Sequence, residues 1–198
     1  YHDVIVGVAG IDWVGHRASD EGAAYVFAGG PAGTSLLGAQ LLPSDRPRPD
    51  SFGMAVAHPG DLDGDGYDDL AVVAPESWLS VADPEGALYV YRGGPGGIDP
   101  SSEIKRLPEA SSVFGALVAG AGDVDGDGLH DLLLASNGGA WLVHGPVDGT
   151  IAIDSADVRL LGPIPGVMAV AGAGDVDGDG LDDLLCAGST GKTFVAAL

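Results

Sequence analysis

Basic residues and cysteine are scarce in this chain, and long apolar runs are missing. Eight lysines and arginines stand against 29 aspartates and glutamates among 198 residues, a formal net charge of −21. So acidic a surface is repelled by a phosphate backbone or an anionic lipid face, which excludes nucleic acid as a partner. The single cysteine, Cys186, permits neither an internal disulfide nor a cysteine-built metal site. No apolar run approaches the ~18–20 residues of a membrane span, so membrane insertion is not expected. Tyr1 opens no signal peptide and there is no initiator Met, so the chain is expected to be processed or excised from something longer.

Glycine is abundant instead. It supplies 34 of 198 residues, more than twice its usual share of about 7%. There is no Gly-X-Y period, so these glycines mark turns. Hydrophobic residues make up 45%, ample for a core, and the length fits one domain.

Self-similarity decides the architecture. Phe52 to Pro75 (FGMAVAHPGDLDGDGYDDLAVVAP), Phe114 to Asn137 (FGALVAGAGDVDGDGLHDLLLASN) and Gly166 to Ser189 (GVMAVAGAGDVDGDGLDDLLCAGS) align without gaps. Each acidic run is followed by an apolar segment and then a Gly-led one, such as GALYVYRGG from Gly86 and GAWLVHG from Gly139. A further segment closes the unit, seen in LLGAQLL from Leu36, EIKRL from Glu103 and DVRLLG from Asp157. Short runs of Val, Ile, Leu, Tyr and Phe between Gly, Pro and Asp are strand chemistry, and no helical period competes. Four antiparallel strands at a repeat of ~50–60 residues predict an all-β propeller, with an irregular β-sandwich as the rival. The Ala/Gly-rich first strand suits the innermost position, where backbones approach closely.

The order Phe-Gly, then Asp-x-Asp-Gly-Asp-Gly-x-x-Asp, then a strand resembles the FG-GAP repeat of integrin alpha chains and many bacterial surface proteins. The resemblance covers nearly the whole chain. It departs at Gly166-Val167, which replaces Phe-Gly, and at the degraded Gly-Ala-Pro element (Val73-Ala74-Pro75, Ala135-Ser136-Asn137, Ala187-Gly188-Ser189). It implies a β-propeller of four-stranded antiparallel FG-GAP blades, about three and a half in this chain. The repeats are expected at about 1–51 (incomplete), 52–113, 114–165 and 166–198 (incomplete), within one partial propeller spanning 1–198. Tyr1-His2-Asp3-Val4 aligns with Tyr67-Asp68-Asp69-Leu70, so Tyr1 takes the seventh position of a fourth acidic loop. The strand count becomes three, four, four and three. A piece of a larger propeller is expected, with a four-bladed ring or a dimer pooling partial blades as alternatives. Open sheet edges favour self-association.

Within each acidic loop, positions 1, 3, 5 and 9 offer carboxylates and position 7 a backbone carbonyl. The candidate ligands are Asp61, Asp63, Asp65, Tyr67 and Asp69; Asp123, Asp125, Asp127, Leu129 and Asp131; and Asp175, Asp177, Asp179, Leu181 and Asp183. Alternation aims successive oxygens at one centre, and glycine at positions 4 and 6 allows the tight turn. Such an oxygen cage with flexible coordination suits Ca²⁺ better than Mg²⁺, which gives three structural calcium sites. The twelfth position, a Glu in EF-hands, is Val72, Leu134 or Cys186 here, so this is a different loop. Position 8 (Asp68, His130, Asp182) is expected to point away from the metal, its His–Asp neighbours an accident of repeat divergence.

The loops on the opposite face carry Trp13, Arg17, Arg46, Arg48 and Trp78, a candidate binding face for a protein or glycan ligand, with both tryptophans as core caps the plainer alternative. Trp141 and Cys186 are expected in the core. No nucleophile set or histidine-rich open metal site supports catalysis. The expected function is a calcium-stabilised, non-enzymatic, integrin-like binding or adhesion scaffold. It is expected outside the cell or on its surface, with the export signal beyond this chain. The alternative is an accessory propeller of a larger secreted enzyme, of hydrolase or phospholipase type, whose catalytic part lies elsewhere.

Overall fold

The computed structural model describes residues 2–9, 22–33, 39–43, 51–74, 87–106, 117–136, 139–147, 158–160, 167–188 and 193–196. Among these every regular element is a strand, gathered into four antiparallel sheets. The first holds β1 (Val4–Val8), β2 (Ala23–Phe27) and β3 (Gln40–Leu41). The second holds β4 (Ala55–Gly60), β5 (Asp69–Ala74), β6 (Ala87–Tyr91) and β7 (Ile104–Arg106) in that spatial order. The third repeats it with β8 (Leu117–Gly122), β9 (Asp131–Ser136), β10 (Gly139–Val143) and β11 (Val158–Leu160). The fourth holds β12 (Val167–Gly174), β13 (Asp183–Gly188) and β14 (Thr193–Ala196). These are β-propeller blades, with the expected three, four, four and three strands. No helix of the described residues is long and apolar enough to cross a membrane.

Alternation along each middle strand explains how the blades stack. Side chains point to opposite faces with a period of two, so a strand between two neighbouring blades must be apolar on both. On β5, Leu70, Val72 and Ala74 join a cluster with Ala24, Val26 and Leu41 of the first blade. Ala71 and Val73 face the other way, toward Leu132, Leu134, Trp141 and Val143 of the third. The same switch on β9 sends Leu133 and Ala135 toward Leu184 and Cys186 of the fourth blade. The core is therefore a series of inter-blade layers, and Trp141 and Cys186 lie in them as expected. Burial pushes the Cys186 thiol upward from its ordinary pKa. Phe52 of the Phe-Gly pair is fully buried, edge-on to Tyr89 at 5.1 Å between ring centres.

The first strands β4, β8 and β12 pack against one another in series. Their composition follows from that crowding. A Cβ at Gly172 would meet the Gly120 carbonyl oxygen at 2.8 Å, so no larger residue fits. Each first strand also slips register just before its acidic loop, between Ala57 and Gly60, Gly120 and Gly122, and Gly172 and Gly174. Such a bulge re-aims the chain into the loop that follows.

Candidate functional site

The three acidic loops connect the first and second strands of their blades, and each is wound around its own first aspartate. Asp61 Oδ1 accepts from the N–H of Gly64 at 2.7 Å and Oδ2 from that of Gly66 at 2.8 Å. Asp123 takes Gly126 and Gly128 at 2.7 and 3.0 Å, and Asp175 takes Gly178 and Gly180 at the same two distances. The glycines at positions 4 and 6 are needed for this winding: Gly64 and Gly66 have φ of 80° and 89°, the left-handed region other residues avoid. Position 5 follows the same plan, with Asp65, Asp127 and Asp179 accepting the N–H of Tyr67, Leu129 and Leu181.

The ninth-position aspartates anchor the loops from inside. Asp69, Asp131 and Asp183 are the buried charged residues among those described. Asp131 Oδ2 accepts from Val124 N–H and Oδ1 from Gly145 N–H, both at 2.9 Å. Asp69 does the same with Leu62 and Gly93, at 2.8 and 2.9 Å. Asp3 accepts from Gly29 at 2.7 Å, so the aligned N-terminal segment repeats half of this anchor. Burial pushes the Asp69 and Asp131 carboxyls above the ordinary carboxylate range, outweighing those N–H bonds. At Asp61 burial also pushes upward, but the N–H groups of Gly66, Gly64, Asp63 and Asp65 together win and hold the carboxyl below its usual value.

The donor geometry fits a hard cation. Oxygens of Asp61, Asp63 and Asp69 lie within 4.8 Å of one another, as do those of Asp123, Asp125 and Asp127 and of Asp175, Asp177 and Asp183. Ligands at ~2.3–2.6 Å from a shared Ca²⁺ sit at most about 5 Å apart across the ion, so each trio can serve one centre. The residue just beyond the third strand adds a basic side chain to two of the loops. Arg92 Nη1 lies 3.0 Å from Asp63 Oδ2, and His144 Nδ1 lies 3.3 Å from Asp125 Oδ2 and 3.4 Å from Asp131 Oδ1. Local pattern reading missed both residues. The signal was a basic residue at one repeat position in a chain with eight lysines and arginines.

Comparison with known proteins now adds to this geometry. The FG-GAP repeat model matches residues 52–91, and the FG-GAP-like repeat model matches 123–186. The chain belongs to the FG-GAP repeat family. It is 34% identical to human (Homo sapiens) integrin alpha-10 over 145 residues, 71% of this chain and 12% of that protein. With mouse (Mus musculus) integrin alpha-E it shares 31% over 175 residues, 84% of this chain and 15% of that one. Human integrin alpha-7 is 30% identical over 187 residues, 90% of this chain and 15% of the relative. The chain thus spans well under a fifth of the length of these relatives.

Position 8 of the FG-GAP loop has a structural part that its sequence pattern did not reveal. His130 lies against the preceding loop, where its N–H donates to the Asp61 carbonyl at 3.0 Å and its Nδ1 accepts from Asp61 N–H at 2.9 Å. Asp182 repeats this on Asp123, with both bonds at 2.9 Å. Position 8 thus turns toward the neighbouring loop's backbone, a structural contact with no acid–base pairing in it. Asp68 faces His58 Nε2 at 3.0 Å, beside a cleft of about 490 Å³ also lined by His2 and Asp3. The five residues of the expected opposite face, Trp13, Arg17, Arg46, Arg48 and Trp78, lie outside the described residues.

Proposed function

We infer that this chain is a calcium-braced, non-enzymatic propeller module of the adhesion type. Three structural Ca²⁺ ions would be held by the carboxylates of Asp61, Asp63, Asp65 and Asp69, of Asp123, Asp125, Asp127 and Asp131, and of Asp175, Asp177, Asp179 and Asp183. The carbonyls of Tyr67, Leu129 and Leu181 complete the cages. The observation that carries this reading is the convergence of three carboxylates in each of three aligned loops, from positions 1, 3 and 9 in loops one and three and from positions 1, 3 and 5 in loop two. A lone acidic cluster is commonplace; three copies wound around the same backbone plan are not. Bound calcium offsets the repulsion of four carboxylates per loop and couples loop order to metal.

Relatedness to integrin alpha chains supports a binding role and a place outside the cell or on its surface, where loops of extracellular modules work at ~10⁻⁴–10⁻³ M calcium. We assign the ligand, a protein or glycan, to the face opposite the loops, with Trp13, Arg17, Arg46, Arg48 and Trp78 as its candidate anchors. The test is thermal unfolding in millimolar calcium, in EDTA and in magnesium. A melting temperature that rises strongly with calcium and little with magnesium is expected; curves that superimpose in all three would remove the reading.

A further inference from the structure

The contacts of His130 and Asp182 join loops that belong to different blades. In each case the residue at position 8 occupies both the N–H and the C=O of the preceding loop's first aspartate, the hub around which that loop is wound. It is flanked by the position 7 carbonyl and the position 9 carboxylate of its own loop. Fixing positions 7 and 9 of one loop therefore fixes its grip on the preceding loop. Two further features show that the junction is built for this. A Cβ at Gly60 would collide with His130 Nδ1, and one at Gly122 with Asp182 Oδ2, so glycine precedes each gripped loop. The position 7 side chain also reaches across: a Cβ at Gly64 would meet Leu129 Cδ2 at 2.9 Å, and one at Gly126 would meet Leu181 Cδ2 at 3.0 Å. Chemically different residues, an imidazole and a carboxylate, make the same pair of bonds. What the position requires is an acceptor, not a charge.

We propose that His130 and Asp182 are positioning residues that couple cation occupancy of neighbouring loops, loop two to loop one and loop three to loop two. The proposal rests on the calcium reading above. Coupling between sites is reciprocal, so a cation in either loop of a pair strengthens binding in the other by the same factor. The acidic loops then respond to calcium as a linked row.

The amide signals of Gly66, Gly128 and Gly180 test this, since each donates to the first aspartate of its own loop. Calcium is titrated into the ¹⁵N-labelled full chain and the midpoint is followed at each glycine. Disabling loop three with Asp177→Asn and Asp179→Asn is expected to shift the Gly128 midpoint to about fivefold higher calcium or more, the low end of ordinary inter-site coupling. With Asp182→Ala present, the state of loop three no longer moves Gly128. Asp182→Asn, which keeps a side-chain oxygen but loses the charge, restores the dependence. If Asp182→Ala does not fold, the comparison of the unaltered chain with the disabled-loop variant still decides, because an unmoved Gly128 midpoint overturns the proposal. No calcium-dependent shift at any glycine would overturn the calcium reading and the coupling with it, whereas shifts at all three with independent midpoints would overturn the coupling alone.

Discussion

Loops two and three share the sequence Asp-Val-Asp-Gly-Asp-Gly-Leu, yet their surroundings differ. In loop two the second residue, Val124, is 2% exposed and packs in the layer shared with the fourth blade, as Leu62 of loop one packs at 0% against the third. The corresponding Val176 of loop three is 59% exposed. Gly122 is backed by Asp182, while a Cβ at Gly174 would meet nothing within 4 Å. An identical loop is thus half of a structure. The other half comes from the blade that follows, which supplies the position 8 grip and the wall against position 2. Loop three has no such wall among the described residues.

This contrast can be broken at several points. The largest effect is expected from Asp131→Ala. It strands the buried N–H of Val124, at about 1–3 kcal/mol, and the half-buried N–H of Gly145 at the low end of that range. Denaturant unfolding should show a loss of several kcal/mol, and a loss below 1 kcal/mol would show that the anchor is dispensable. Next comes the pair Leu62→Ala and Val176→Ala. The first empties a packed layer and should cost about 2–5 kcal/mol, the second no more than about 0.5 kcal/mol as a surface change. Equal costs for the two would erase the distinction between walled and open loops.

A smaller difference separates Gly122→Ala from Gly174→Ala. Both force a side chain into positive φ, at about 1–2 kcal/mol, but only the first also evicts Asp182. Unfolding should therefore be easier for the Gly122 variant, with the amide of Asp123 losing protection from hydrogen exchange. The smallest effect concerns Arg92, which sits on Asp63 in loop one. Removing its charge with Arg92→Gln should tighten calcium at Gly66 by about three- to tenfold, the scale of one unit charge near a divalent ion in high dielectric. Unchanged binding would mean that Asp63 is not among the loop one ligands.

What the sequence revealed follows from where each interaction lies. Strands, their grouping and the loop pattern are local, carried by alternation and by Asp-Gly spacing, and β4 through β11 follow them closely. The inter-blade grip is not local: His130 meets Asp61 across 69 residues. Its trace in the sequence was only that Asp68, His130, Asp182 and His2 can all accept a hydrogen bond. Arg92 and His144 were hidden for the same reason, two strands beyond the carboxylates they approach. The opposite face stays an assignment from composition, resting on Trp13, Arg17, Arg46, Arg48 and Trp78.

The count of bound calcium tests the central claim most directly. After equilibrium dialysis at millimolar calcium, elemental analysis should find three ions per chain, with Asp61→Ala, Asp123→Ala and Asp175→Ala each removing one. A count near zero, or one that none of the three substitutions lowers, would contradict the account.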